Sequence, residues 1–236
     1  MTGSVAIVTG VGARGQVGYA VAAALLRAGW RVLVTGRGEA VEALAGELEA
    51  GAPEGAEVAA LRADLGSEEG PAAVVAAARE HFGRLDLLAN VAGGLTVIKP
   101  LAETTTEEIE GELVRNARTV FLMCRAALPL LRETRGAIVN FASPAGLAPI
   151  AGLGAYSAAK AVVLSLTRSF ALEEAANGVR VNAVAPGMID TEQNRASAQP
   201  GAKVRWVSRE QIAEAVLYLA GASAVTGEVL AVRGVS

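Results

Sequence analysis

The chain has 236 residues, of which 52% are hydrophobic and 19% charged, with a formal net charge of −3. This length and apolar content suit a single α/β domain, read over residues 1–236, with a full core and no need of cross-links. The slight acidity and the absence of a basic block exclude nucleic acid and an anionic membrane as expected partners. The single cysteine, Cys124, excludes an internal disulfide and suits a reducing, cytoplasmic setting. No uncharged run approaches the ~20 residues of a membrane span.

In chain order, the predicted strands are Val5–Thr9, Arg31–Thr35, Glu57–Arg62, Leu85–Asn90, Ala137–Ala142, Val179–Val184 and Glu228–Val232. Helical patterns fall between them, near 17–28, 39–49, 67–82, 105–132, 156–176 and 208–220. Strands apolar on both faces and separated by helices imply a parallel sheet covered on both sides. The expected fold class is therefore α/β, a doubly wound, seven-stranded parallel sheet whose ligand lies beyond the carboxyl ends of the strands. Residues 192–207 lack periodicity and are expected to form a loop over the site.

The first strand runs into TGVGARGQVG, residues 9–18. Gly10, Gly12 and Gly15 fit the dinucleotide fingerprint, and Gly12, Gly15 and Gly18 fit a second spacing. Gly18 is expected in the first turn of the following helix, where a missing side chain allows close packing on the strand. Gly10 turns the chain so that backbone N–H groups meet a phosphate at the positive helix end. The second strand ends VLVTGRGE, with no carboxylate to bind the adenosine ribose hydroxyls. Arg37 follows, and Arg14 lies in the glycine loop, so NADP(H) is the expected cofactor and NAD(H) the alternative.

In AYSAAKAVV, Tyr156 and Lys160 stand four apart on a helix and share a face. A nearby ammonium favours the phenolate and so fits a tyrosine for general acid/base work.

These stretches resemble the short-chain dehydrogenase/reductase family along essentially the whole chain. The resemblance is carried by TG at 9–10, DL at 64–65, NVAG at 90–93, Asn116 in VRNARTVF, Ser143 in IVNFAS, Tyr156-x-x-x-Lys160 and PGMIDT at 186–191. The serine precedes the tyrosine by thirteen residues, as the family pattern requires. The resemblance implies a Rossmann-type domain and a catalytic set of Asn116, Ser143, Tyr156 and Lys160. Tyr156 exchanges a proton with the substrate oxygen, Ser143 hydrogen-bonds that oxygen, and Lys160 lowers the tyrosine pKa and binds the nicotinamide ribose. Asn116 holds a water leading from the lysine to solvent. Asp64 and Leu65 flank the adenine, while Asn90, Ala92 and Gly93 floor the cofactor cleft. Pro186 and Gly187 line the nicotinamide, and Thr191 bonds its carboxamide or a phosphate.

The implied activity is an NADP(H)-dependent interconversion of a small-molecule ketone and a secondary alcohol, with 3-oxoacyl thioesters as a candidate substrate. The implied assembly is a homotetramer, with a dimer as the alternative, formed through the long apolar helices at 105–132 and 156–176. Two features depart from the pattern. Gly10 to Gly18 spans eight positions, similar to the loop of enoyl-carrier-protein reductases, and the segment before Ser208 is a short lid. The competing expectations are an enoyl (C=C) reductase and a non-catalytic NADP(H)-binding sensor. Arg132 and Arg135 are candidates for docking an acidic carrier. His81 reads as a helix-end dipole partner, and no metal site is expected. Glu107, Glu108, Glu110 and Glu112 read as a solvated helix face.

Overall fold

The computed structural model describes residues 3–198 and 203–234. Residues 199–202 of the expected lid lie outside the described residues.

The chain opens with β1 (Val5–Thr9), α1 (Val17–Arg27), β2 (Arg31–Gly36), α2 (Val41–Ala50), β3 (Val58–Arg62) and α3 (Glu69–Phe82). It continues through β4 (Leu87–Asn90), α4 (Thr106–Leu113), a π turn at Val114–Arg118, α5 (Thr119–Thr134), β5 (Ala137–Phe141) and α6 (Pro144–Leu147). The last part holds α7 (Gly154–Glu174), β6 (Arg180–Pro186), β7 (Met188–Ile189), α8 (Glu192–Ser197), β8 (Trp206–Val207), α9 (Arg209–Gly221) and β9 (Val229–Val232).

Seven strands form one parallel sheet in the order β3-β2-β1-β4-β5-β6-β9, and β7 pairs with β8 apart from it. From β1 the winding runs one way to β3 and then reverses to β4. A crevice therefore opens beyond the carboxyl ends of β1 and β4, where the glycine loop begins. Side chains alternate across the sheet, so each strand feeds two cores. Ala6 and Val8 of β1 pack on one face with Val21 and Leu25 of α1 and Ile212 and Val216 of α9. Val5 and Ile7 pack on the other with Val74 of α3, Met123 and Leu131 of α5 and Val163 of α7. Burial on both faces is the physical reason these strands read as continuous apolar runs.

One expectation about elements needs correction and another a refinement. Residues 192–207 are not a bare loop: Thr191 caps α8, its Oγ1 accepting from the Asn194 N–H at 3.2 Å, and Trp206–Val207 pairs with Met188–Ile189. Periodicity missed these elements because each is too short to repeat. The helix expected over 105–132 runs without interruption from Thr106 to Thr134, but it widens into a π turn at Val114–Arg118, where Asn116 is fully buried. A capping box starts α4: the Glu108 N–H donates to Thr105 Oγ1, and the Thr105 N–H donates back to Glu108 Oε2.

Candidate active site

The glycine loop divides into two kinds of glycine. Gly10 has φ +76°, and a Cβ there would stand 2.8 Å from the Ala92 backbone. A Cβ on Gly18 would stand 2.5 Å from the Gly10 oxygen, so strand and helix approach only because both side chains are missing. Gly12 and Gly15 meet nothing so close: their nearest neighbours are the ends of Gln16, at 3.0 Å, and Arg209, at 3.6 Å. No side chain caps α1 at Gln16, which leaves its first backbone N–H groups open to a phosphate. Thr9 ties the two sides of the crevice together, its Oγ1 accepting from the Ala92 N–H at 2.9 Å.

At the end of β2, Arg37 is exposed and its carbonyl accepts from Arg62 Nε at 3.0 Å. Arg62, from the end of β3, also pairs with Glu39 at 3.2 Å and was not singled out by the sequence. Arg14 turns to Glu47 of α2, with Nε at 2.9 Å and Nη2 at 2.8 Å from Oε2. Asp64 is exposed and accepts from the Gly66 N–H at 3.0 Å, while Leu65 is buried behind it.

The four residues expected to carry the chemistry come from three different elements. Ser143 follows β5 by two residues and caps α6, its Oγ accepting from the Ala145 N–H at 3.2 Å. Tyr156 and Lys160 lie one turn apart on α7, with Lys160 Nζ 5.6 Å from the Tyr156 ring centroid. Lys160 is only 4% exposed, and its Nζ donates to the Phe141 carbonyl at 2.8 Å. Two further N–H donors of this ammonium have no protein acceptor among the described residues, which fits the hydroxyls of a ribose. Gly93 keeps the ground clear: a Cβ there would stand 2.7 Å from Asn116 Oδ1 and 3.4 Å from Lys160 Nζ. These features fit a bound nicotinamide coenzyme.

Burial dominates the titration of the pair. It pushes the Lys160 ammonium down to about 8, opposed by the negative charge of Glu112. It pushes the Tyr156 phenol above its ordinary value; Ser143 pulls it back and Glu112 pushes it further up. The expected lowering of the phenol by Lys160 is thus not seen in the free protein. The lysine is already neutral at the pH where a buried phenol ionises.

Asn116 is held by the protein. Its Nδ2 donates to the Gly94 carbonyl at 3.0 Å and to Glu112 Oε2 at 2.9 Å, and its Oδ1 accepts from the Gly94 N–H at 3.0 Å. The reading of Glu112 as part of a solvated face is corrected by the structure. Glu107 and Glu110 are exposed, but Glu112 is fully buried, because the inward side of α4 faces the loop after β4. The sequence carried one signal for it, the Glu112–Asn116 spacing of one helical turn.

Asn90 points into the core rather than the cleft, donating to Asn140 Oδ1 at 2.9 Å and lying 3.4 Å from Cys124 Sγ. Cys124 is buried and its thiol is pushed up to about 12, which makes it inert. Pro186 ends β6, and the Gly187 N–H donates to the Val232 carbonyl at 2.9 Å. Thr191 is occupied as the cap of α8. His81 is exposed in the last turn of α3, and Arg132 is paired with buried Glu174 at 2.6 Å. Among the described residues no group of metal-ligating side chains is assembled, and no helix is long and apolar enough to cross a membrane.

Residues 4–201 match the family model for short chain dehydrogenases. The chain is 39% identical over 189 residues to 2-(R)-hydroxypropyl-CoM dehydrogenase of Xanthobacter autotrophicus, covering 74% of this chain and 76% of that relative. It is 33% identical to a 3-oxoacyl-[acyl-carrier-protein] reductase of Mus musculus, covering 94% of each chain. Among solved structures, an NAD+-bound xylitol dehydrogenase superposes with a TM-score of 0.89 at 25% identity, covering 99% of each chain. The strand order of the parallel sheet agrees with these likenesses. The chain belongs to the short-chain dehydrogenase/reductase family, oxidoreductases of alcohol and ketone substrates that use a nicotinamide coenzyme.

Proposed function

We propose that the chain reduces an apolar ketone to a secondary alcohol, or runs the reverse, with NADP(H) as coenzyme and Asn116, Ser143, Tyr156 and Lys160 as its working set. The observation that carries this reading is the placement of Tyr156 one turn from a buried, incompletely bonded Lys160, opposite Ser143, at the carboxyl ends of the strands. The coenzyme, when bound, supplies or accepts the hydride. Ser143 donates a hydrogen bond to the substrate oxygen and holds it beside the tyrosine. Tyr156 gives that oxygen its proton in reduction and takes it back in oxidation. Lys160 holds the ribose with its two free donors and, while charged, favours the phenolate.

Two observations support the finer assignments. The segments that follow β4, β5 and β6, α6 and β7 among them, carry Leu95, Ile98, Leu147, Ile150 and Met188, which are 38%, 73%, 50%, 50% and 50% exposed. An apolar rim of this kind suits a hydrophobic substrate, a 3-oxoacyl thioester included. At the end of β2, Gly36 supplies no carboxylate, and a Cβ there would stand 2.7 Å from the Val11 oxygen. Arg37 and Arg62 stand beside it, which favours a 2′-phosphate and hence NADP(H). We also propose a cytoplasmic homotetramer, with a dimer as the smaller alternative, supported by the exposed apolar Phe121 of α5 and Val162 and Leu172 of α7.

The test is NADPH consumption against a panel of apolar ketones and 3-oxoacyl thioesters, with enoyl thioesters alongside. Turnover of a ketone is expected. Turnover of the enoyl substrates alone would put an enoyl reductase in its place, and NADPH binding without any turnover would leave a sensor.

A further inference from the structure

The buried carboxylate of Glu112 lies outside the set of residues that the family resemblance brings to this site. Its Oε1 accepts from the Thr96 N–H at 2.6 Å, from Thr96 Oγ1 at 2.7 Å and from the Val97 N–H at 2.9 Å. Its Oε2 accepts from Asn116 Nδ2 at 2.9 Å. The Thr96 and Val97 N–H groups and the Asn116 amide N–H can only donate, and the Thr96 hydroxyl can donate too, a setting that satisfies a carboxylate. Four such contacts on a fully buried carboxyl group suit its anion, which is costly to bury without a compensating cation.

The charged groups near it are few. On α4, Glu107 and Glu110 are exposed, and Glu108 pairs with Lys99 at 2.7 Å. Arg115 follows in the π turn with its Nε buried, and the Gly94–Val97 loop has no ionisable side chain. From α7 come Tyr156 and Lys160. Asn116 Oδ1 and Lys160 Nζ flank the same point above Gly93, at 2.7 and 3.4 Å from where a Cβ would stand. The carboxylate is thus one hydrogen bond from an amide whose oxygen shares the space above Gly93 with the ammonium.

We propose that Glu112 is a positioning residue of this active site: it fixes the Gly94–Val97 loop and the Asn116 amide as one unit and is the counter-ion that keeps Lys160 charged beside Tyr156. The proposal rests on reading Tyr156 and Lys160 as the working pair. Its negative charge acts on both, opposing the fall of Lys160 to about 8 and adding to the rise of Tyr156.

The chain has three lysines, Lys99, Lys160 and Lys203, so isotope labelling of lysine side chains gives three resolvable NMR titrations in the coenzyme-free protein. In Glu112→Gln the Lys160 signal should titrate about one pH unit lower than in the wild type. In Thr96→Val, which loses one donor to the carboxylate but keeps its charge, Lys160 should titrate as in the wild type. Equal titration in Glu112→Gln and wild type overturns the proposal, as does an equal displacement in Thr96→Val. Should Glu112→Gln not fold, the reciprocal experiment decides: in Lys160→Met the labelled Glu112 carboxylate must take its proton at a higher pH than in the wild type. An unchanged value there overturns the proposal equally. A chain that binds coenzyme yet turns over no substrate removes the enzymatic reading, while these titrations still decide whether Glu112 is the counter-ion.

Discussion

Lys160 shows how burial and chemistry are coupled at a single residue. An unfolded lysine titrates near its ordinary 10.5, whereas in the fold this ammonium is held at about 8. Between those values the unfolded chain binds the extra proton, so this group makes the free protein more stable as pH rises through the window. Denaturant midpoints measured from pH 8 to 10 should therefore show a rise that Lys160→Met removes; equal slopes in the two proteins would contradict the assignment. Arg37 governs a different property. Arg37→Asp should turn the kcat/KM preference from NADPH toward NADH by about tenfold or more, since it replaces an attraction for the 2′-phosphate by a repulsion. An unchanged ratio would remove Arg37 from the coenzyme site. Tyr156 and Lys160 were legible as a pair because a spacing of four sets both on one helix face, whereas Ser143 was reached only through the family resemblance. Glu112 was not, because in a run of four glutamates on one helix only the facing loop decides which carboxylate is buried.

At the scale of elements, the glycine loop was legible as a tight strand-to-helix turn, but the division of labour inside it was not. Counting alone let Gly12 and Gly15 compete with Gly10 and Gly18, and only the approach of α1 to β1 separates them. Gly18→Ala should cost ~1–3 kcal/mol of stability and weaken coenzyme binding, because its methyl would enter the Gly10 carbonyl. Gly15→Ala should leave both nearly unchanged, its nearest neighbour being the far end of Arg209 at 3.6 Å. Melting curves and coenzyme titration of the two variants check the contrast, and equal effects would refute it. The π turn within the helix over 105–132 was hidden for a related reason. Apolar periodicity continues across the π turn, and the change of winding turns Asn116 inward without leaving a mark on the pattern.

For the whole molecule, two-sided burial made the sheet readable strand by strand, and the alternation of strand and helix made it parallel, while the reversal of winding between β3 and β4 left no mark on that pattern. The outer surface was less readable, since an exposed apolar side chain has the same sequence signature as a core one. Phe121 is 39% exposed and stacks on Phe170 at 6.3 Å between ring centroids, and Leu172 is 81% exposed. Light scattering should find a tetramer, or the smaller dimer, and Phe121→Glu should shift it toward monomer. A monomeric wild type would contradict the assembly. The central claim is that Tyr156 moves the proton while the rest of the cleft binds coenzyme and substrate. It is tested most directly by comparing wild type and Tyr156→Phe with the best ketone at saturating NADPH, measuring turnover and the NADPH Kd together. The account predicts that turnover falls by about a hundredfold or more while the Kd stays within about twofold; a phenylalanine variant that reduces the ketone at the wild-type rate would contradict it.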